Sequence, residues 1–250
     1  MNPILHELQN KQWVWTAAHA KEHSPSKLLT TGFDALDQVL SGGFPRAGMI
    51  HIASYLGCGE LRLMLAVLQQ NQHHKRTVDE NKLLIFINPP FELNAEFLVA
   101  HNISLSQLVV IHTHSDSNSA LWSAEQSLKS GACSAVFMWQ KQLKNTHIKK
   151  LELAALQGNS YCIWLDSYLH KQAISQHQNL PLSLSLSISR KNDDLAIKVN
   201  KQKVGWAQKS VTIPLPFVSQ TYRARLKNLA SQSMASNVVA INAKPSLMRK

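Results

Sequence analysis

The sequence predicts an α/β fold in which a mostly parallel sheet lies between helices. Three observations carry that prediction. Apolar strand-like runs alternate with helical segments at short spacing from residue 49 to residue 165. Several runs, such as Leu83-Leu84-Ile85-Phe86-Ile87, are apolar at every position, as suits parallel strands covered on both faces. The later segment Leu182, Leu184, Leu186, Ile188 instead alternates with serines, a period of two that marks an antiparallel addition with one polar face.

Taken in order, residues 2–10 read as a short amphipathic helix bearing Ile4, Leu5 and Leu8. Trp13 and Trp15 follow, and Ser24-Pro25-Ser26 reads as a linker. Thr30 to Leu40 forms a compact helical element with Phe33, Leu36 and Leu40 on one face, ended by Gly42-Gly43. Met49 to Ala53 reads as a strand, Ser54 to Gly59 as a loop and Glu60 to about Gln70 as a helix. Strands are expected at 82–88, 108–111, 132–139 and 161–165, with helices near 93–101, 118–130 and 146–157. Such βαβ units call for right-handed crossovers. Asn192-Asp193-Asp194 is a turn into the returning strand Leu195 to Val199, so a C-terminal β-hairpin extends the sheet. Pro214 and Pro216 close the folded part, and residues 219–230 have helical character. Three segments result: 1–27 as helix and linker, 28–216 as the α/β domain, and 217–250 as a basic tail.

Charge is distributed unevenly. The net charge is +11, yet all 15 acidic residues lie at or before Asp194. The last 56 residues carry ten cations and no carboxylate. A near-neutral globule with a basic end points to an acidic partner, either DNA or a protein surface. Within that end, Arg223, Arg225 and Lys227 interleave with Leu226 and Leu229, and Arg249 and Lys250 finish the chain. A helix ordered by a partner would bury the two leucines while the cations meet phosphates or carboxylates.

No run of about 18 apolar residues exists, so no membrane span or membrane partner is expected. The first residues lack the pattern of a secretory signal, and three scattered cysteines suit a reducing cytoplasm. Twelve histidines include the close pairs His73-His74 and His112/His114, but neither has a third ligand at metal-site spacing. Trp122, Trp139, Trp164 and Trp206 are expected to fill core or edge positions. Cys58 starts a helix but has no base beside it, so it is not read as a nucleophile.

The strand, glycine-bearing loop and helix at 49–70 have the layout of a phosphate-binding P-loop. Gly59 keeps its place, but Ser54 stands at the first glycine, Glu60 at the lysine and Leu61 at the magnesium-binding hydroxyl. A carboxylate in place of an ammonium reverses an interaction worth roughly 4 kcal/mol at about 4 Å and an effective dielectric near 20. Trp139 stands where a magnesium-holding aspartate is expected, and Asn88-Pro89-Pro90 where a water-activating glutamate is expected. The expectation is a degenerate site with no nucleotide, metal or other cofactor, and no catalysis.

Several segments together resemble the ImuA family. They are Thr31-Gly32-Phe33-Asp34-Ala35-Leu36-Asp37, Gly42-Gly43-Phe44-Pro45-Arg46-Ala47-Gly48, Gly57-Cys58-Gly59-Glu60-Leu61-Arg62-Leu63, Ala120-Leu121-Trp122-Ser123-Ala124-Glu125-Gln126 and Leu128-Lys129-Ser130-Gly131-Ala132-Cys133. The resemblance covers roughly residues 28–216, and its first segment is also similar to RecA ahead of the P-loop. It implies a RecA-like three-layer αβα domain in a non-catalytic SOS-response protein of the DNA-damage response. Such a protein would act in DNA repair by translesion synthesis, beside the polymerase-like partner ImuB, RecA and an alternative polymerase III alpha subunit. The stretch from about Leu83 to Leu165 also resembles the cell-division inhibitor SulA, which would imply FtsZ as partner.

Overall fold

The computed structural model describes residues 28–74, 82–113, 116–141, 143–167, 180–192, 194–203 and 209–214. They lie within one compact unit, Met1–Pro216. The sequence readings on residues 1–27, on Trp206 and on the tail residues Arg223, Arg225, Leu226, Lys227, Leu229, Arg249 and Lys250 fall outside the described residues.

A two-residue ladder, β1 (Leu28–Leu29) with β2 (Phe44–Pro45), brackets the short helix α1 (Asp34–Val39). The helix starts later than the apolar spacing predicts because Thr30 and Thr31 are held in a turn. Asp37 accepts from Thr30 Oγ1 at 2.5 Å and from the Thr31 amide at 2.9 Å. Polar side chains that bond nearby backbone compete with the helix.

The main sheet runs β10-β9-β8-β3-β7-β6-β4-β5. Its parallel part comprises β3 (Gly48–Ser54), β4 (Leu83–Ile87), β5 (Leu108–Ile111), β6 (Cys133–Trp139), β7 (Tyr161–Ser167) and β8 (Leu184–Lys191). Strand β9 (Asp194–Gln202) adds antiparallel to β8, and β10 (Ser210–Pro214) adds antiparallel to β9. The hairpin is as expected, but its first strand joins β3 in parallel, which corrects the reading of residues 182–188 as an antiparallel addition. Strand β10 was not anticipated, because Ser210-Val211-Thr212-Ile213-Pro214 is short and ends in a proline.

Helices cover both faces. On one side α1, α2 (Glu60–His74) and α3 (Ala95–Ala100) bury Leu36, Leu40, Leu63, Met64, Val67 and Leu98 against Ile50, Ile52, Phe86 and Phe137. On the other, α4 (Ser117–Lys129) and α5 (Asn145–Gln157) present Ala120, Ala124, Leu128, Ile148, Leu151 and Ala155 to Met49, Val136, Met138 and Trp164. Small alanines at i and i+4 let α4 approach the sheet closely, and the asparagine and aspartate caps of α3 and α4 satisfy first-turn amides. Trp164 is fully buried and Trp139 half-buried, as read from the sequence. Trp122 is 64% exposed on α4, which corrects its expected core or edge position.

Candidate functional site

Strand β3 ends at buried Ser54, and the loop Tyr55-Leu56-Gly57-Cys58-Gly59 leads into α2. Gly57 (φ 78°) and Gly59 (φ 119°) hold the left-handed backbone that glycine favours. Their amides turn inward, as in the concave nests that bind anions. The anion here belongs to the chain. Glu60, 5% exposed, accepts from the Gly57 N–H through Oε1 at 3.0 Å and from the Gly59 N–H through Oε2 at 3.0 Å. The carboxylate also begins α2, where negative charge suits the helix end.

This geometry goes further than charge reversal. Glu60 both repels a phosphate and occupies two of the donors that a phosphate would use. Sequence reasoning placed the carboxylate at the lysine position of the loop but missed the inward fold of the side chain. The usable signal was a carboxylate directly after Gly-X-Gly. Leu61 packs against the helix-covered core rather than into the loop. Cys58 is buried with its Sγ 3.8 Å from the Ile188 carbonyl. Burial first, and the Glu60 charge second, push its thiol up to about 11. It is a protonated core thiol at neutral pH. Outside the nest, Tyr55 (55% exposed) and Leu56 (42% exposed) form an apolar loop tip.

The neighbouring strand ends are also internally bonded. Asn88 (φ 50°) closes β4 onto the chain after β5 by donating to Thr113 Oγ1 and accepting from the Thr113 amide, both at 2.8 Å. Trp139 ends β6 with its ring stacked near Phe86 and Phe137, at centroid distances of 6.0 and 6.5 Å. Trp164 Nε1 donates to the Gln140 carbonyl at 2.7 Å.

A polar row unforeseen from the sequence crosses β8, β3 and β7. His51 Nδ1 lies 2.9 Å from Ser185 Oγ, its Nε2 lies 3.8 Å from Asp166 Oδ2, and its ring meets Trp164 at 4.4 Å. The residue types are those of a hydrolase triad, but His51 is 2% and Ser185 1% exposed, so no substrate reaches the hydroxyl. A lone histidine inside the apolar strand Met49-Ile50-His51-Ile52-Ala53 was the available signal. The alternating serines were read as a solvated face. Ser183, Ser185 and Ser187 are instead buried, bonded to Glu152, His51 and Asn200.

Among the described residues no cluster of three or more histidine, cysteine or acidic side chains could hold a metal ion. No described helix is long and apolar enough to cross a membrane.

A central parallel sheet with helices on both faces, a β3–loop–α2 turn of P-loop shape and an antiparallel C-terminal extension define a RecA-like α/β fold. Among solved structures the chain is similar to that of the RadB recombinase, with a TM-score of 0.57 and 13% sequence identity over 75% of this chain and 96% of that one. No family model matches the sequence, and no curated protein does.

Proposed function

We propose that this chain is an accessory protein of SOS-induced translesion DNA synthesis, similar to ImuA, that binds other proteins without turning over ATP. The observation that supports this reading is the Glu60 carboxylate seated on the Gly57 and Gly59 amides. A nucleotide would have to expel a buried, doubly bonded anion and then approach the same negative charge. With the nest filled from within, the exposed Tyr55–Leu56 tip is suited to contact with another protein. ImuB and RecA are the partners that the sequence resemblance implies, with an alternative polymerase III alpha subunit in the same assembly.

The test has two readouts on the full chain. Titration with ATP and magnesium should show no saturable binding. Immobilised protein should retain purified ImuB or RecA, and Leu56→Asp should weaken that capture. Magnesium-dependent ATP turnover at an ordinary enzymatic rate, abolished by altering Glu60, would overturn the proposal. Failure to retain either partner would overturn it equally.

A further inference from the structure

The eight-stranded sheet ends at β5, whose outer side carries no strand among the described residues. The Ile111 carbonyl accepts from the Asn88 amide, so Ile111 turns its backbone groups toward β4. Alternate residues of a strand face opposite neighbours, and the N–H and C=O of Val110 therefore point away from the sheet. The strand is apolar throughout, Leu108-Val109-Val110-Ile111, with Val110 40% exposed. An apolar edge with free backbone groups is a template for one more strand. Beside it runs a groove of about 440 Å³, lined by Pro89, Pro90, Phe91, Glu92, Leu108 and Val110. Phe91 is 60% exposed on its rim. An open edge flanked by an apolar groove suits an extended segment that brings a large apolar side chain at every second position.

We infer that the occupant is a segment of this same chain: residues 11–15 add to β5 as a further strand, with Trp13 and Trp15 in the groove. Both tryptophans lie outside the described residues, and no role found so far uses them. Lys11-Gln12-Trp13-Val14-Trp15 has the period of a strand, with both rings on one face and Val14 on the other. The two faces of β5 match that order. Leu108 packs with the cluster under α1, α2 and α3, whereas Val109 and Ile111 pack with the one under α4 and α5. Laying Trp13 and Trp15 beside Leu108 and Val110 puts Val14 on the side of Val109 and Ile111. Lys11 falls on the tryptophan side, which is the side of Glu92. Residues 12–18 carry no charged side chain, so docking them strips water from no ion. The chain also reaches. Strand β5 stands four strands from β3, about 19 Å at sheet spacing. Leu28 is paired to Pro45 just ahead of β3, and residues 16–27 before it extend up to about 40 Å.

Amide hydrogen exchange of the full chain, followed residue by residue by NMR, tests the inference. The Val110 amide should exchange slowly in the wild type and about tenfold or more faster in the double variant Trp13→Ser/Trp15→Ser. Phe91→Asp, which puts a charge on the groove from the other side, should release the same amide. The Val109 amide faces β4 and should stay protected in both variants, which reports that the sheet is intact. Protection of Val110 should not depend on protein concentration, because donor and edge belong to one molecule. A Val110 amide that exchanges freely in the wild type, or that keeps its protection when both tryptophans are replaced, overturns the inference. Protection that fades on dilution overturns it as well, since it puts a second copy on the edge.

Discussion

A buried glutamate works near each end of strand β3, Glu152 on the strand itself and Glu60 on the loop that follows it, and the two work in different ways. At its start, Glu152 of α5 accepts from the Met49 amide at 2.5 Å, from Ser183 Oγ at 2.7 Å and from the Lys203 ammonium. These partners lie 103, 31 and 51 residues away in sequence, so one carboxylate joins the sheet, a covering helix and the antiparallel extension. At the other end Glu60 bonds only amides one and three residues before it. The first carboxylate is part of the architecture, while the second closes a local ring. Removing the first should damage the fold, and removing the second should free a loop.

The largest expected effect is therefore at Glu152. Glu152→Ala leaves the Met49 amide and the Ser183 hydroxyl without their acceptor in a buried setting and should cost about 3 kcal/mol, read as a lower urea midpoint. Half-exposed Lys203 can turn to water and adds little to that figure. Stability within experimental error of wild type would remove the distinction between the two ends. A smaller effect belongs to Glu60→Gln. Its amide can accept from only one of the two glycine N–H groups and places a donor against the other, a loss of about 1 kcal/mol with the fold intact. A loss as large as that of Glu152→Ala would show the loop to be architectural as well.

The smallest effect is chemical. Cys58 reports on Glu60, because the nearby negative charge opposes formation of the thiolate. Alkylation of the wild-type thiol should rise with pH toward a midpoint of about 11. In Glu60→Gln the midpoint should move down only partway, since burial is the larger cause and persists. Cys162 is raised by burial first, with the Glu152 charge adding to it, and its fully buried thiol should stay unreactive in the native state of both proteins. An unmoved Cys58 profile would mean that the carboxylate does not sit in the nest.

The alternation of strands and helices was legible because apolar runs such as Leu83–Ile87 need no knowledge of their neighbours. The replaced positions Ser54, Glu60 and Leu61 were also legible, since a P-loop has a fixed spacing. What escaped was set by partners distant in sequence. Ser183, ahead of β8, and Ser185 and Ser187 within it look solvated until Glu152, His51 and Asn200 are seen against them. Strand β10 is a strand because β9 offers it an edge, and Pro214 is tolerated on the outermost strand. Trp122 carries a core residue's chemistry but stands on the outer side of α4, away from Ala120, Ala124 and Leu128.

A plug joined to its socket by a covalent bond cannot be diluted away. The concentration that Glu60 presents to the Gly57 and Gly59 amides is set by chain geometry rather than by the surrounding solution. A free anion must out-compete that fixed local dose, so the shape of this loop is insulated from swings in the phosphate compounds around it. In this structure the turn is held closed by a side chain that it carries itself.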